Sequence, residues 1–145
     1  MQEQILELLQ KEQELFAQVI EYGHRMKELS PRADYEAYQE LSIIRDEYLE
    51  KLKKNEIILQ RNYQKLKNQP EFESIRANVQ ALRADSLELA RELLELDILL
   101  KKRLLEEKEQ IVQELQNLHK GHQGMKHYQQ KEQPRVNGAY TDSRR

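Results

Sequence analysis

The strongest constraint in this sequence is a run of apolar residues spaced three and four apart over almost fifty positions. Phe72, Ile75, Val79, Leu82, Ser86, Leu89, Leu93, Leu96, Leu100, Leu104, Ile111, Leu115 and Leu118 all fall on it. An α-helix turns once every 3.6 residues, so this spacing keeps every member on one face, whereas a strand would need alternation. The run therefore predicts one long helix over 71–119. Its seam has one gap, between Leu104 and Ile111, where Glu107 or Lys108 occupies the expected position.

The same period recurs twice upstream. From Ile5, the residues Leu8, Leu9, Leu15, Phe16, Val19, Tyr22, Met26 and Leu29 share a face, which predicts a helix over 3–29. Ser30-Pro31 ends it, since proline lacks an amide hydrogen and disfavours helical geometry in the residue before it. Asp34 is placed to cap the next helix, over 35–67. Tyr38, Leu41, Ile44, Tyr48, Leu52, Leu59, Tyr63 and Leu66 are its apolar stripe, with Asn55 and Asn62 on or beside it. A polar residue in such a seam lowers stability but helps fix register. Tyr35, Tyr38, Tyr48 and Tyr63 are expected as core residues with hydroxyls at the surface. Lys67-Asn68-Gln69-Pro70 is the second break.

Composition agrees with three helices and a thin core. Charged residues make up 34% of the chain, against only 4 Gly and 3 Pro in 145 residues, a balance that favours long helices. With no Trp and 2 Phe, the apolar content suits a narrow leucine-rich seam better than a thick core. The predicted fold is all-α: an elongated antiparallel three-helix bundle or coiled coil with a long C-terminal helix, followed by a tail. The bundle is expected over 1–120, with Gly121 as helix stop, and a flexible basic tail over 121–145.

Since a helix rises about 1.5 Å per residue, the third helix outruns the other two near Leu104. Beyond that point Leu104, Leu105, Ile111, Val112, Leu115 and Leu118 have nothing in the chain expected to cover them, and uncovered apolar stripes mark partner surfaces. The tail from His119 onward holds six basic residues and two acidic ones, with Tyr128 and Tyr140 among them, and resembles a short docking segment.

Chemistry is harder to find. No phosphate-cradling, dinucleotide, zinc-protease or nucleophile-elbow motif is present, and no strands are expected to carry one. Catalysis is not expected, nor is a cofactor. His119, His122 and His127 straddle an expected helix end without a carboxylate pair to complete a metal set, and the chain has no Cys. The Glu50/Lys54 and Glu47/Lys51 pairs read as a solvated helix face. A formal charge of -2 gives no field for nucleic acid. No window approaches ~18 consecutive apolar residues, and the N-terminus has no signal-peptide pattern, so cytoplasmic residence without membrane insertion is expected.

In outline, and in several local stretches, the chain resembles flagellar export chaperones of the FlgN family. The similarity lies in the opening Ile5-Leu6-Glu7-Leu8-Leu9-Gln10-Lys11-Glu12 run, in Leu94-Glu95-Leu96-Asp97 followed by Lys101-Lys102-Arg103-Leu104-Leu105-Glu106-Glu107, and in Leu118-His119-Lys120-Gly121-His122-Gln123-Gly124 with Tyr128. The ending Asn137-Gly138-Ala139-Tyr140-Thr141-Asp142-Ser143-Arg144 is similar to tails of such chaperones in Gram-positive type bacteria. The sequence departs from the family in its histidines near the glycine pair, where lysine is commoner.

The resemblance implies a cytoplasmic type III export chaperone. It would bind C-terminal amphipathic helices of hook-filament junction proteins of the FlgK and FlgL type, prevent their premature assembly and deliver them to the export gate. Leu104, Ile111, Leu115 and Leu118 would then be client anchors, and Tyr128 or Tyr140 would engage the gate component FlhA. A FliT-type chaperone of the filament cap protein has a similar outline. The same residues also suit a structural coiled-coil protein whose apolar overhang is a homodimer seam, or an adaptor that touches nucleic acid or membrane through the basic tail.

Overall fold

The computed structural model describes the backbone of residues 2–132 and the side chains of residues 3–122. Three α-helices, α1 (Gln2–Lys27), α2 (Tyr35–Leu66) and α3 (Arg76–Glu132), account for nearly all of it, and no strand occurs among the described residues. A 3-10 turn at Pro70–Ser74 precedes α3. The chain divides into two compact units, Met1–Leu104 and Leu105–Arg145.

The first unit is an up-down-up bundle, which two buried clusters make plain. Ile5 and Leu9 at the start of α1 pack with Leu59 and Leu66 at the end of α2 and with Phe72, Ile75 and Val79. At the other end, Val19, Ile20 and Met26 of α1 pack with Tyr38 of α2 and with Leu93, Leu96 and Leu100 of α3. Neighbours in sequence are therefore antiparallel, while α1 and α3 run in the same direction. All of these but Ile20 are residues that the three-four spacing assigned to the seams, because a helix can bury only one stripe against two neighbours.

The turns between helices show what ends each one. Residues 31–34 form a single turn held at both ends by Ser30 and Asp34. The Ala33 amide donates to Ser30 Oγ at 3.1 Å, and the Ser30 amide donates to Asp34 Oδ2 at 3.1 Å. Asp34 does occupy the N-cap position of α2, but its side chain caps no α2 amide, because it is spent on Ser30. At the second break, Phe72 is drawn into the core by the 3-10 turn and meets Tyr63 edge to face, ring centroids 5.7 Å apart. The expected α-helix over 71–119 thus begins as a 3-10 turn and becomes α-helical only at Arg76.

Two further expectations are corrected. Tyr35 is exposed, since it lies in the first turn of α2 ahead of the buried stripe, whereas Tyr38 is buried and Tyr48 and Tyr63 are half-buried. The helix does not stop at Gly121 but continues to Glu132, so residues 121–132 are not a structureless tail. Glycine costs a helix interior only about 1 kcal/mol relative to alanine, and Gly121 has no left-handed φ to turn the chain out. The rest of the expected tail, residues 133–145, lies outside the described residues.

Polar groups also fasten the first unit. Arg103 of α3 donates from Nη2 to the Leu29 carbonyl at 2.8 Å and from Nη1 to the Lys27 carbonyl, supplying a cation where the carbonyls at the end of α1 have no helical partner. Asn55, buried in the α2 seam, donates to the Leu8 carbonyl at 3.0 Å, the register role expected of a polar seam residue.

Candidate functional site

Two surfaces stand out, one in each unit. In the second, every side chain from Lys108 to His122 is exposed, among them Ile111, Val112, Leu115 and Leu118; Leu105 is exposed too. Leu115 and Leu118 keep 61% and 60% of their surface in solvent, against 5% for Leu96 and Leu100, which hold equivalent stripe positions in the first unit. Leu104, the last residue of the first unit, is 44% exposed. The structure thus leaves all four expected anchors, Leu104, Ile111, Leu115 and Leu118, open to solvent.

The other expected site residues lie C-terminal to these anchors. Tyr128 falls on the helical backbone of α3, with its side chain outside the described residues, and Tyr140 lies outside them entirely. His119 and His122 are exposed on α3, and His127 again has no described side chain. Among the described residues no cluster of three or more His, Cys, Asp or Glu could hold a metal ion. No helix there is long and apolar enough to cross a membrane.

The second surface is a groove of about 680 Å³ in the first unit, which sequence spacing did not single out. Its walls are α2 and α3, contributing Leu52, Ile57, Leu87 and Ala90, and its floor is Phe16 and Glu12 of α1. Glu56, Ser86, Arg83 and Lys53 complete the lining. Glu12 and Ser86 are seam residues by position, Glu12 three after Leu9 and three before Leu15, and both are nearly fully buried, at 6% and 5% exposure. They sit between the two apolar clusters, so the seam is interrupted by a polar layer at mid-height.

The electrostatics of that layer are unusual. Burial, together with a hydrogen bond to Glu56 and its charge, pushes the Glu12 carboxyl up from 4.5 to about 7, against the opposing pull of Ser86 and Arg83. Glu56 moves the other way: burial would raise it, but hydrogen bonds from Glu12 and Gln60 and the charge of Arg83 hold it below its usual value. Gln60 Nε2 donates to Glu56 Oε1 at 2.8 Å. The two neighbouring carboxyls are thus driven apart, Glu12 toward its neutral form and Glu56 toward its charged form. Glu12 Oε2 and Ser86 Oγ are both shut off from water, and Ser86 stands close enough to Glu12 to oppose its rise as a hydrogen-bond partner, though the bond between them is not well formed.

The sequence held a partial signal for this site. Ser86 interrupts a leucine seam and Glu12 falls in the gap of the first stripe, but nothing in their spacing shows that they meet each other and Glu56. No protein-family model, curated protein or solved structure matches the chain.

Proposed function

We propose that this protein holds an amphipathic helix of a partner protein, as a flagellar type III export chaperone of the FlgN kind would, with no covalent step. One observation carries the proposal: Leu105, Ile111, Val112, Leu115 and Leu118 are presented uncovered on a helix whose side chains are exposed throughout 108–122. Aliphatic area of this kind lowers free energy by about 25 cal/mol per Å² when a partner covers it, less the cost of ordering that partner. A client helix with anchors at matching three and four spacings would lay its apolar face along the stripe.

In this proposal the clients are hook-filament junction proteins of the FlgK and FlgL type, and the setting is the cytoplasm. The segment bearing Tyr128 and Tyr140 engages the export gate component FlhA. The sequence resemblance supports these assignments.

Light scattering after size exclusion tests it, using the full chain alone and mixed with a purified hook-filament junction protein. A monomer that forms a one-to-one complex, with Leu115→Asp/Leu118→Asp abolishing the complex but not the fold, supports the proposal. A filament cap protein in place of the junction protein tests for a chaperone of the FliT type. A stable dimer that ignores both clients and is split by the same double substitution would show that the stripe is a homodimer seam.

A further inference from the structure

Lys108 interrupts the apolar stripe of the second unit. On a helix, the residues three and four away on either side are a side chain's surface neighbours. For Lys108 these are Leu105, Ile111 and Val112, all open to solvent, and position 104, another leucine. Glu107 and Glu109 adjoin it along the chain but point about 100° to either side, where consecutive helical residues do not meet. Glu107 has Arg103 and Gln110 among its own neighbours, so its surroundings are partly polar, whereas those of Lys108 are aliphatic throughout. Lys108 is exposed, and no ion pair engages it among the described residues. The stripe thus holds a cation ringed by aliphatic side chains, with no carboxylate of its own helix at the positions that could answer it.

That ring restricts what can cover the stripe. From Leu105 to Leu118 it runs about 20 Å, and a helix laid along it takes the Lys108 ammonium out of water within the contact. A purely apolar helix would bury the charge unpaired or force the lysine stem out to the rim across its own leucines. A basic helix would add repulsion. A second copy of this chain fails for the same reason: from Leu105 to His122 the titratable members of the stripe are Lys108, His119 and His122, with no carboxylate among them. A helix with a carboxylate among its anchors meets both demands, because its aliphatic residues cover the leucines while its oxygens accept from the ammonium in a charge-assisted bond.

We propose, on the helix-holding function set out above, that the partner helix carries an aspartate or glutamate among its apolar anchors, and that this carboxylate pairs with Lys108 when the stripe is covered.

Two pairs of synthetic amphipathic peptides of about 18 residues, long enough to hold a helix, test this with the full chain. Within a pair the peptides differ at one position of the apolar face, glutamate in one and glutamine in the other. That position lies about two turns from the N-terminus in the first pair and about two turns from the C-terminus in the second, since Lys108 stands toward one end of the stripe. One pair is expected to show glutamate preferred over glutamine by roughly tenfold or more, as pairing of a desolvated charge should give. The other pair, of equal charge, should show no such preference, and the contrast gives the direction of the bound helix. Lys108→Gln should remove the preference and Lys108→Glu should reverse it. Lys108 is exposed, so neither change disturbs the fold.

Equal affinity for glutamate and glutamine in both pairs, or a preference that survives Lys108→Gln, would overturn the pairing. An equal preference in both pairs would show general attraction between charges and overturn it as well. In each of these cases, binding that Leu115→Asp/Leu118→Asp abolishes would leave the helix-holding function standing, so the two failures are separate results. No binding of any peptide would overturn the pairing, and the junction-protein complex then decides the function itself. A chain that dimerises alone and is split by the same double substitution would make a second copy the occupant and overturn both.

Discussion

Arg45 of α2 is paired with Asp97 of α3, and its Nε donates at 3.2 Å to the Val19 carbonyl of α1, so one guanidinium ties all three helices of the first unit together. Its side chain is only 10% exposed, whereas Asp97 keeps 45% of its surface in water. Asp97→Ala should therefore cost about 1–3 kcal/mol, chiefly by leaving a buried cation without its counter-charge. Arg45→Met combined with Asp97→Leu should restore much of that loss, because apolar replacement of a buried pair is often neutral or better. Urea unfolding of the singles and the double checks this, and additive losses would refute it.

Stability should fall as pH rises through the window between 4.5 and about 7. The fold raises the Glu12 carboxyl from 4.5 to about 7, so across that window the folded chain holds a proton that the unfolded chain has released. Glu56, lowered by the fold, acts in the opposite sense and loses its contribution only as pH falls below the ordinary carboxylate range. Glu12→Gln should flatten the decline. The variant should match wild type near pH 5 and exceed it near pH 8 by on the order of 2 kcal/mol, less than the full shift implies because the groove is open to water. Parallel unfolding curves at every pH would show that Glu12 is not the group responsible.

Gly23 is buried in α1 because α3 passes close to it. A Cβ there would collide with Leu96 and stand 3.4 Å from Arg45 Nε. Gly23→Ala gains about 1 kcal/mol of helix propensity against that collision, which a shift of the Leu96 side chain relieves, so its melting temperature should hardly change. Gly23→Ile should lose about 1–3 kcal/mol from overpacking. Thermal unfolding of the two variants separates them.

Hydrogen exchange should divide α3. Leu93, Leu96 and Leu100 are buried, while every side chain from Lys108 to His122 is exposed. Amides of 110–122 should exchange faster than those of 89–100 by about two orders of magnitude or more, since helices without packed faces open at little cost. Saturating partner helix should slow the first group selectively.

The chain's own periodicity determined the three helices and the faces they bury. Leu9, Leu59 and Leu96 could be assigned to seams without coordinates, because the 3.6-residue turn is a local property of consecutive residues. Pro31 and Pro70 marked the breaks for an equally local reason, the missing amide hydrogen. Gly121 shows how far local rules reach: glycine permits a helix end without requiring one, and here the helix runs on. Tertiary structure alone decided which polar seam residues meet. Glu12, Glu56 and Ser86 come from three different helices, and Arg45 finds Asp97 across 52 residues. Their partners depend on how the helices are rotated and staggered against one another. The packing of all the apolar residues sets that geometry, and the spacing of no single helix contains it.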